Sequence, residues 1–399
     1  MTVLNVLNGR NGRNGRNGRN GRNGRNGRNG RSGINHAGGE SDADLSLAIL
    51  TTLEGIGGTW NVGALRANAD LTKEPPPAIT PEFTAFEQQE EFFRSHILDY
   101  ELDRLFKPVV YDSPATADLK ESTKGGTICS LTKPTITATQ VETQLRYVKA
   151  RVTQRDERLA EILIQQTDIL SFFGAVVFLD DTRTPWTLAL LDAVLRFGTY
   201  VEMPMKLHFK RPRPYEFSAF VQPLIQSPTH SAYPSGHAVE AFAVATILCA
   251  LASTQNIGKS ADGTTTTPFD ARDCFDEAKV GVGLTLLMRL AARIAQNRTV
   301  AGVHFPIDNF AGATLGLAIG EYLVNALSGA DKTGSYSLAV AKAEVLDFGF
   351  STIGIGDASK GKPIIREAKT LTIASAPVSP VWQEIWRRAR HEVLAARAT

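Results

Sequence analysis

From residue 81 onward the apolar side chains recur every third or fourth position along most of the chain. That spacing keeps one face of a 3.6-residue helix apolar, and it predicts helices over 81–103, 138–167, 185–206, 236–254, 278–297, 306–327 and 380–397. In 138–167 the apolar Tyr147, Ala150, Val152, Leu159, Ile162 and Leu163 are interleaved with charges, the pattern of an amphipathic surface helix. The runs 236–254 and 310–327 are apolar on nearly every side and are expected to be buried core helices. Each has an acid inside it, Glu240 or Glu321, and fewer apolar residues than the roughly 20 a bilayer requires, so a soluble bundle without a transmembrane span is expected. Strand-like alternation is sparse. Residues 173–179 are the one β-branched and aromatic run, which reads equally well as buried helix. The polar stretch between Gln255 and Asp276, with four threonines at 264–267, predicts a long surface loop. The expected fold is all-α, built of helical bundles.

Ahead of this body, Asn8 to Arg31 is eight copies of Asn-Gly-Arg. It has no apolar residue to bury and predicts an expanded basic tail. Removing its eight arginines from the 43 basic residues leaves 35 against 41 acids, so the net charge of +2 belongs to the tail and the body is acidic. A nucleic-acid partner for the body is therefore not expected. Cys129, Cys249 and Cys274 lie far apart and form neither a Cys-x-x-Cys zinc pattern nor a disulfide framework. The glycines of Gly55-Ile56-Gly57-Gly58 lack the strand-turn-helix setting of a phosphate loop, and Pro75–Pro77 with Pro81 make a stiff break. The expected division is a tail over 1–40, an irregular and helical region over 41–137, and a helical domain over 138–399. Met1–Leu7 is too short and uncharged for a secretory leader, and cytoplasmic residence is the expectation.

The residues that carry chemistry lie between 206 and 308. Ser235-Gly236 before a long apolar run reads as a helix N-cap, placing a hydroxyl, a bare amide and the positive end of a helix dipole at one point. Pro306 reads as the first helical position after His304. Asp308 then falls in the first turn, four residues from His304, where it could accept the Nδ1 proton and leave Nε2 to act on phosphorus or a metal. Lys206, Arg213 and Arg298 are costly to gather in an apolar bundle unless an anion of two or three charges sits between them. Arg211, two residues from Arg213, is assigned to the solvent side on helical spacing.

Together, Lys206-x6-Arg213-Pro214, Pro234-Ser235-Gly236-His237 and Arg298-x5-His304-x3-Asp308 resemble the three-part signature of the type-2 phosphatidic acid phosphatase and vanadium-dependent haloperoxidase superfamily. The resemblance implies helical bundles with the active site at one end of the core bundle. It implies His304 as the nucleophile of a phosphatase or the vanadium ligand of a peroxidase, and His237 as the acid–base. Lys206, Arg213, Ser235, Gly236 and Arg298 become the oxyanion contacts, of vanadate or of phosphate in the same seat. Asn297 stands where the third motif usually has Ser and keeps an amide donor, and Met203 stands where chloroperoxidases often carry an aromatic. Asn297-Arg298-Thr299 also spells a glycosylation sequon, read here as accidental.

His230, seven residues before His237, resembles the bromoperoxidase pattern, where a second imidazole near peroxide could move protons and tune halide oxidation. The expected function is a vanadium-dependent haloperoxidase that oxidises bromide or iodide with hydrogen peroxide and passes the halogen to an organic acceptor. The alternative is a soluble acid phosphatase working through a phospho-His304. A homo-oligomer is compatible with either.

Overall fold

The computed structural model describes residues 48–49, 51–52, 55–56, 81–260, 265–357, 364–373 and 377–398. The Asn-Gly-Arg tract, the Pro75–Pro77 break, Gly57, Gly58 and Thr264 lie outside the described residues. Helices α1 (Pro81–Glu87) and α2 (Glu91–Asp103) lead into strands β1 (Val110–Ser113), β2 (Thr116–Lys120) and β3 (Thr127–Thr132). There follow α3 (Ala138–Ala150), α4 (Arg155–Ile164), α5 (Leu170–Gly174), α6 (Pro185–Phe209), α7 (Pro214–Phe217) and α8 (Gly236–Ala252). The two-residue strands β4 (Gly258–Lys259) and β5 (Thr266–Thr267) pair in the segment expected to be loop. After them come α9 (Glu277–Val280), α10 (Val282–Val300), α11 (Pro306–Leu327), β6 (Lys332–Leu338), α12 (Val340–Ala343), β7 (Ile355–Asp357), β8 (Ile365–Thr372) and α13 (Pro380–Ala398).

The fold is mostly helical but not all-α, which corrects the sequence expectation. Six strands form a mixed sheet in the order β1-β2-β3-β6-β8-β7, with β3–β6 and β7–β8 parallel. Its strands are short, and Thr127–Thr132 and Lys332–Leu338 are buried on both faces for much of their length. A strand buried on both sides loses the period-two signature that marks one in sequence. The sheet packs on α11, where buried Glu321 accepts the Gly334 and Ala271 amides at 2.6 and 2.8 Å and the Tyr336 hydroxyl. Because β3 pairs with β6, chain from both sides of residue 138 shares this one sheet.

Several helix boundaries move. The single helix expected over 138–167 is two, joined by a 3-10 turn at Arg151–Gln154. A reciprocal Thr137–Gln140 cap starts the first of them. The polar side of α4 is not all solvent: Arg158 and Glu161 are buried against α10. Gly281, at φ +80, separates α10 from α9, so α10 begins at Val282 instead of residue 278. Residues 173–179 are the end of α5 and a following turn, not a strand.

The core is α8, which lies against α11, α10 and α6. Gly312, Gly316 and Gly320 form a bare stripe on α11. A Cβ there would lie 2.4 Å from the Ser235 carbonyl, 2.5 Å from the Val239 carbonyl and 2.7 Å from Thr246 Cβ, respectively. The two backbones can therefore touch, which brings the N-termini of α8 and α11 side by side: Ser235 N–H donates to the Asp308 carbonyl at 2.9 Å. By length and composition α11 is long and apolar enough to cross a membrane, contrary to the sequence expectation. Its whole apolar window is nevertheless buried inside the protein.

Candidate active site

All three motifs arrive at helix ends on one end of the α6–α8–α10–α11 core. Lys206 is in the last turn of α6, Arg213 precedes α7, Ser235 and Gly236 open α8, Arg298 is in the last turn of α10, and Asp308 is in the first turn of α11. Gly302, left-handed at φ +78, ends α10, with the Val303 and His304 amides turned back to the Arg298 carbonyl at 3.1 and 3.3 Å. That turn lifts His304 beside Arg298.

Two features make an anion seat. The Ser235 hydroxyl is buried, makes no capping bond to its own helix, and has no hydrogen-bond partner among the described residues. Arg298 gives Nη2 to Gln165 Oε1 at 3.1 Å, while its buried Nε and Nη1 have no hydrogen-bond partner among those residues. Unsatisfied buried donors cost about 1–3 kcal/mol each, so these three, on Arg298 at the pocket wall and on Ser235 next to Gly236 in the same wall, mark a place for acceptor oxygens. Burial pulls the Arg298 and Arg213 guanidinium groups down to about 10, against the attraction of Glu240 and Glu161 for the first and of Asp308, Tyr215 and Glu202 for the second. Both stay charged at neutral pH.

His304 is held between Asp308 and Arg213. Its Nδ1 lies 3.4 Å from Asp308 Oδ2 and its Nε2 3.3 Å from Arg213 Nη1. A carboxylate only accepts and a guanidinium only donates, so the proton sits on Nδ1 and Nε2 carries the lone pair. Burial, with the charges of Arg213 and Lys206, holds the ring well below the ordinary histidine range, which keeps it neutral. Burial pushes the Asp308 carboxyl up, opposed by Arg211 and by the Phe305 amide, which donates to Oδ2 at 2.9 Å.

Arg211 overturns its assignment to solvent. It is 2% exposed and its Nε lies 3.4 Å from Asp308 Oδ1. The helical-face argument failed because this segment is not helical: Lys210 is left-handed at φ 48, and Arg213 is extended. In extended chain, residues two apart point the same way. The signal was present, since a proline disfavours helical geometry in the residue before it and Pro212 and Pro214 follow these two arginines.

His237 Nε2 lies 2.9 Å from the Gln165 carbonyl, which can only accept, so Nε2 keeps its proton in the neutral ring and any proton the ring gains is taken up at Nδ1. Gln165 thus braces His237 through its backbone and Arg298 through its side chain. Asn297 does not face the anion seat as expected; its Nδ2 donates to Gln165 Oε1 and Glu161 Oε2 at 3.0 and 2.9 Å, and its Oδ1 accepts from Arg158. Its complete burial also leaves the sequon no access. Arg293 closes this wall on Glu161 at 2.5 Å.

His304, Arg213, Arg298, Gly236, His237 and His230 border one pocket, together with Glu202 and Glu240. His230 also meets Arg213, whose Nη2 lies 3.4 Å from its Nδ1 and whose Nε donates to its carbonyl at 3.1 Å. Lys206 stands behind this pocket, bordering an adjoining groove with His230, and its Nζ donates to the Pro234 carbonyl. The cation-only charge count made from sequence is therefore incomplete, because Glu202 and Glu240 offset much of it. Residues 186–330 match the PAP2 superfamily. No curated protein matches the chain. The PAP2 region contains every motif residue from Lys206 to Asp308, whereas Arg158, Glu161 and Gln165, which brace Asn297 and Arg298, come from chain ahead of it. Sequence reading missed Gln165, Glu202 and Glu240 as site residues. Glu202 stands one turn before Lys206 and Glu240 nearly one turn after His237, so helical spacing could have flagged both, but nothing in the sequence marks Gln165.

Proposed function

We propose that this PAP2-domain protein is a vanadate-dependent haloperoxidase that oxidises bromide or iodide with hydrogen peroxide. The observation that carries it is a set of buried donors without partners, Ser235 Oγ and Arg298 Nε and Nη1, with Arg298 on the same pocket wall as the neutral His304. That donor set fits a tetrahedral oxyanion with one coordination position left for an imidazole nitrogen. His304 Nε2 would hold vanadate, with Arg213, Arg298, Ser235 and the Gly236 amide on its oxygens and Lys206 adding charge from behind. Bound vanadate supplies a Lewis acid toward hydrogen peroxide. Asp308 keeps the His304 proton on Nδ1. His237 delivers or removes protons at Nδ1 while Gln165 holds its other nitrogen. In the net reaction the halide loses two electrons, peroxide is reduced to water with uptake of one proton, and a hypohalous acid leaves for an organic acceptor. Titrating vanadate into the chain freed of bound anions should switch on peroxide-dependent bromination, and phosphate should compete. Bromination indifferent to both anions would remove this reading.

The same His304 lone pair supports a second reading, an acid phosphatase. There Nε2 bonds to phosphorus as the ester P–O bond breaks, His237 protonates the departing oxygen, and water hydrolyses the phospho-histidine. Ester hydrolysis by the vanadate-free chain, with acid-labile phosphate trapped on His304, would favour it.

His230 favours the halide reading, because it places a second imidazole on the pocket wall next to Arg213. Replacing it in His230→Phe removes a titratable group without removing an oxyanion contact. The halogenation pH profile is expected to shift or lose a limb and the iodide-to-bromide preference to move, with vanadate affinity close to the parent's. An unchanged profile and halide order would show that His230 only braces Arg213 through its carbonyl.

A further inference from the structure

Glu202 is 1% exposed, yet its carboxylate lies at the first residue of α8, where the helix dipole favours an anion. A Cβ added to Gly236 would fall 2.5 Å from Glu202 Oε2 and 2.7 Å from Oε1. Glu202 also borders the pocket shared by His304, Arg213 and Arg298. An oxyanion bound there meets guanidinium and hydroxyl donors on some sides and this carboxylate on another. An ionised carboxylate can only accept hydrogen bonds. Two anionic oxygens facing each other in a buried site repel, unless one of them brings a proton to share.

We propose that Glu202 makes the pocket selective for oxyanions that carry a proton, so that phosphate and vanadate enter in their protonated forms and sulfate is refused. The inference rests on the oxyanion seat proposed above. At neutral pH phosphate and vanadate keep at least one proton and can donate it to Glu202. Sulfate has nearly the same size and tetrahedral shape but no proton to give. Arg213, Arg298 and Ser235 would serve either anion equally, so the discrimination comes from the Glu202 carboxylate. Glu240 borders the same pocket, with its charge set against Arg298 as that of Glu202 is against Arg213. Glu202 is the acid whose carboxylate lies against Gly236, the first residue of α8.

The test is isothermal titration of the full chain at neutral pH with inorganic phosphate, orthovanadate and sulfate as separate probes. The parent should bind phosphate at least about tenfold more tightly than sulfate. Glu202→Gln preserves size but offers a donor, and it should narrow that ratio severalfold, chiefly by tightening sulfate. Glu202→Asp keeps an acceptor and should still exclude sulfate while holding phosphate less well. Melting curves of both variants establish that they fold, and the ratio in the parent stands as evidence if either does not. Equal binding of sulfate and phosphate by the parent, or an unchanged ratio in a folded Glu202→Gln chain, overturns the selectivity while leaving the seat. Failure of the parent to bind any of the three anions overturns the seat and the selectivity together.

Discussion

His304→Ala is expected to abolish vanadate-dependent bromination and any phosphate-ester hydrolysis, with a fall of at least about 10³-fold in turnover. The variant loses the His304 Nε2 lone pair, the nitrogen to which either proposed chemistry attaches. Oxyanion affinity should fall less steeply than activity, because the Arg213, Arg298 and Ser235 donors remain. The fold should survive, since His304 sits in the turn between α10 and α11 and Asp308 keeps the Phe305 amide and Arg211 as partners. Turnover assays beside melting curves check it. Near-parental turnover in a folded His304→Ala chain would remove His304 from both proposed roles.

Arg298→Ala is expected to have the largest effect on anion binding itself. It deletes two buried donors without other partners and the charge behind them, and each hydrogen bond to an ion contributes about 1.5–3 kcal/mol. Allowing for overlap between them, vanadate or phosphate affinity should drop by about 3–5 kcal/mol, roughly two to four orders of magnitude. The change also leaves Gln165 Oε1 with one donor fewer and removes the cation that attracts Glu240 and Glu161, so the melting temperature should fall as well. Phosphate titration with a melting curve separates the two effects. Parental affinity in the folded variant would place the seat away from Arg298.

The order and spacing of the motif residues mark the candidate site, because each one stands at a helix end that sequence marks. Ser235 before Gly236 and Pro306 after His304 are local signals, set by which backbone groups a helix leaves unsatisfied and by which residues can begin one. The helical periodicity of 185–206, 236–254 and 306–327 survives in α6, α8 and α11 for the same reason: one side or all sides of each must be buried. Signals of this kind need only neighbours in the chain.

What the chain alone did not determine depends on partners distant in sequence. The sheet forms because β3 and β6, some two hundred residues apart, meet on α11, and neither carries the alternation of a half-buried strand. Gln165 becomes part of the site because α4 packs on α10 and brings its backbone carbonyl to His237 and its side chain to Arg298. Glu202 and Glu240 are ordinary helical acids until α6 and α8 close on the pocket, and only there do they stand against the arginines counted from sequence. Local geometry determined where the helix ends of the candidate site lie. Tertiary packing decided which acceptors they face, because side chains that meet across helices leave no periodic trace in the sequence of either.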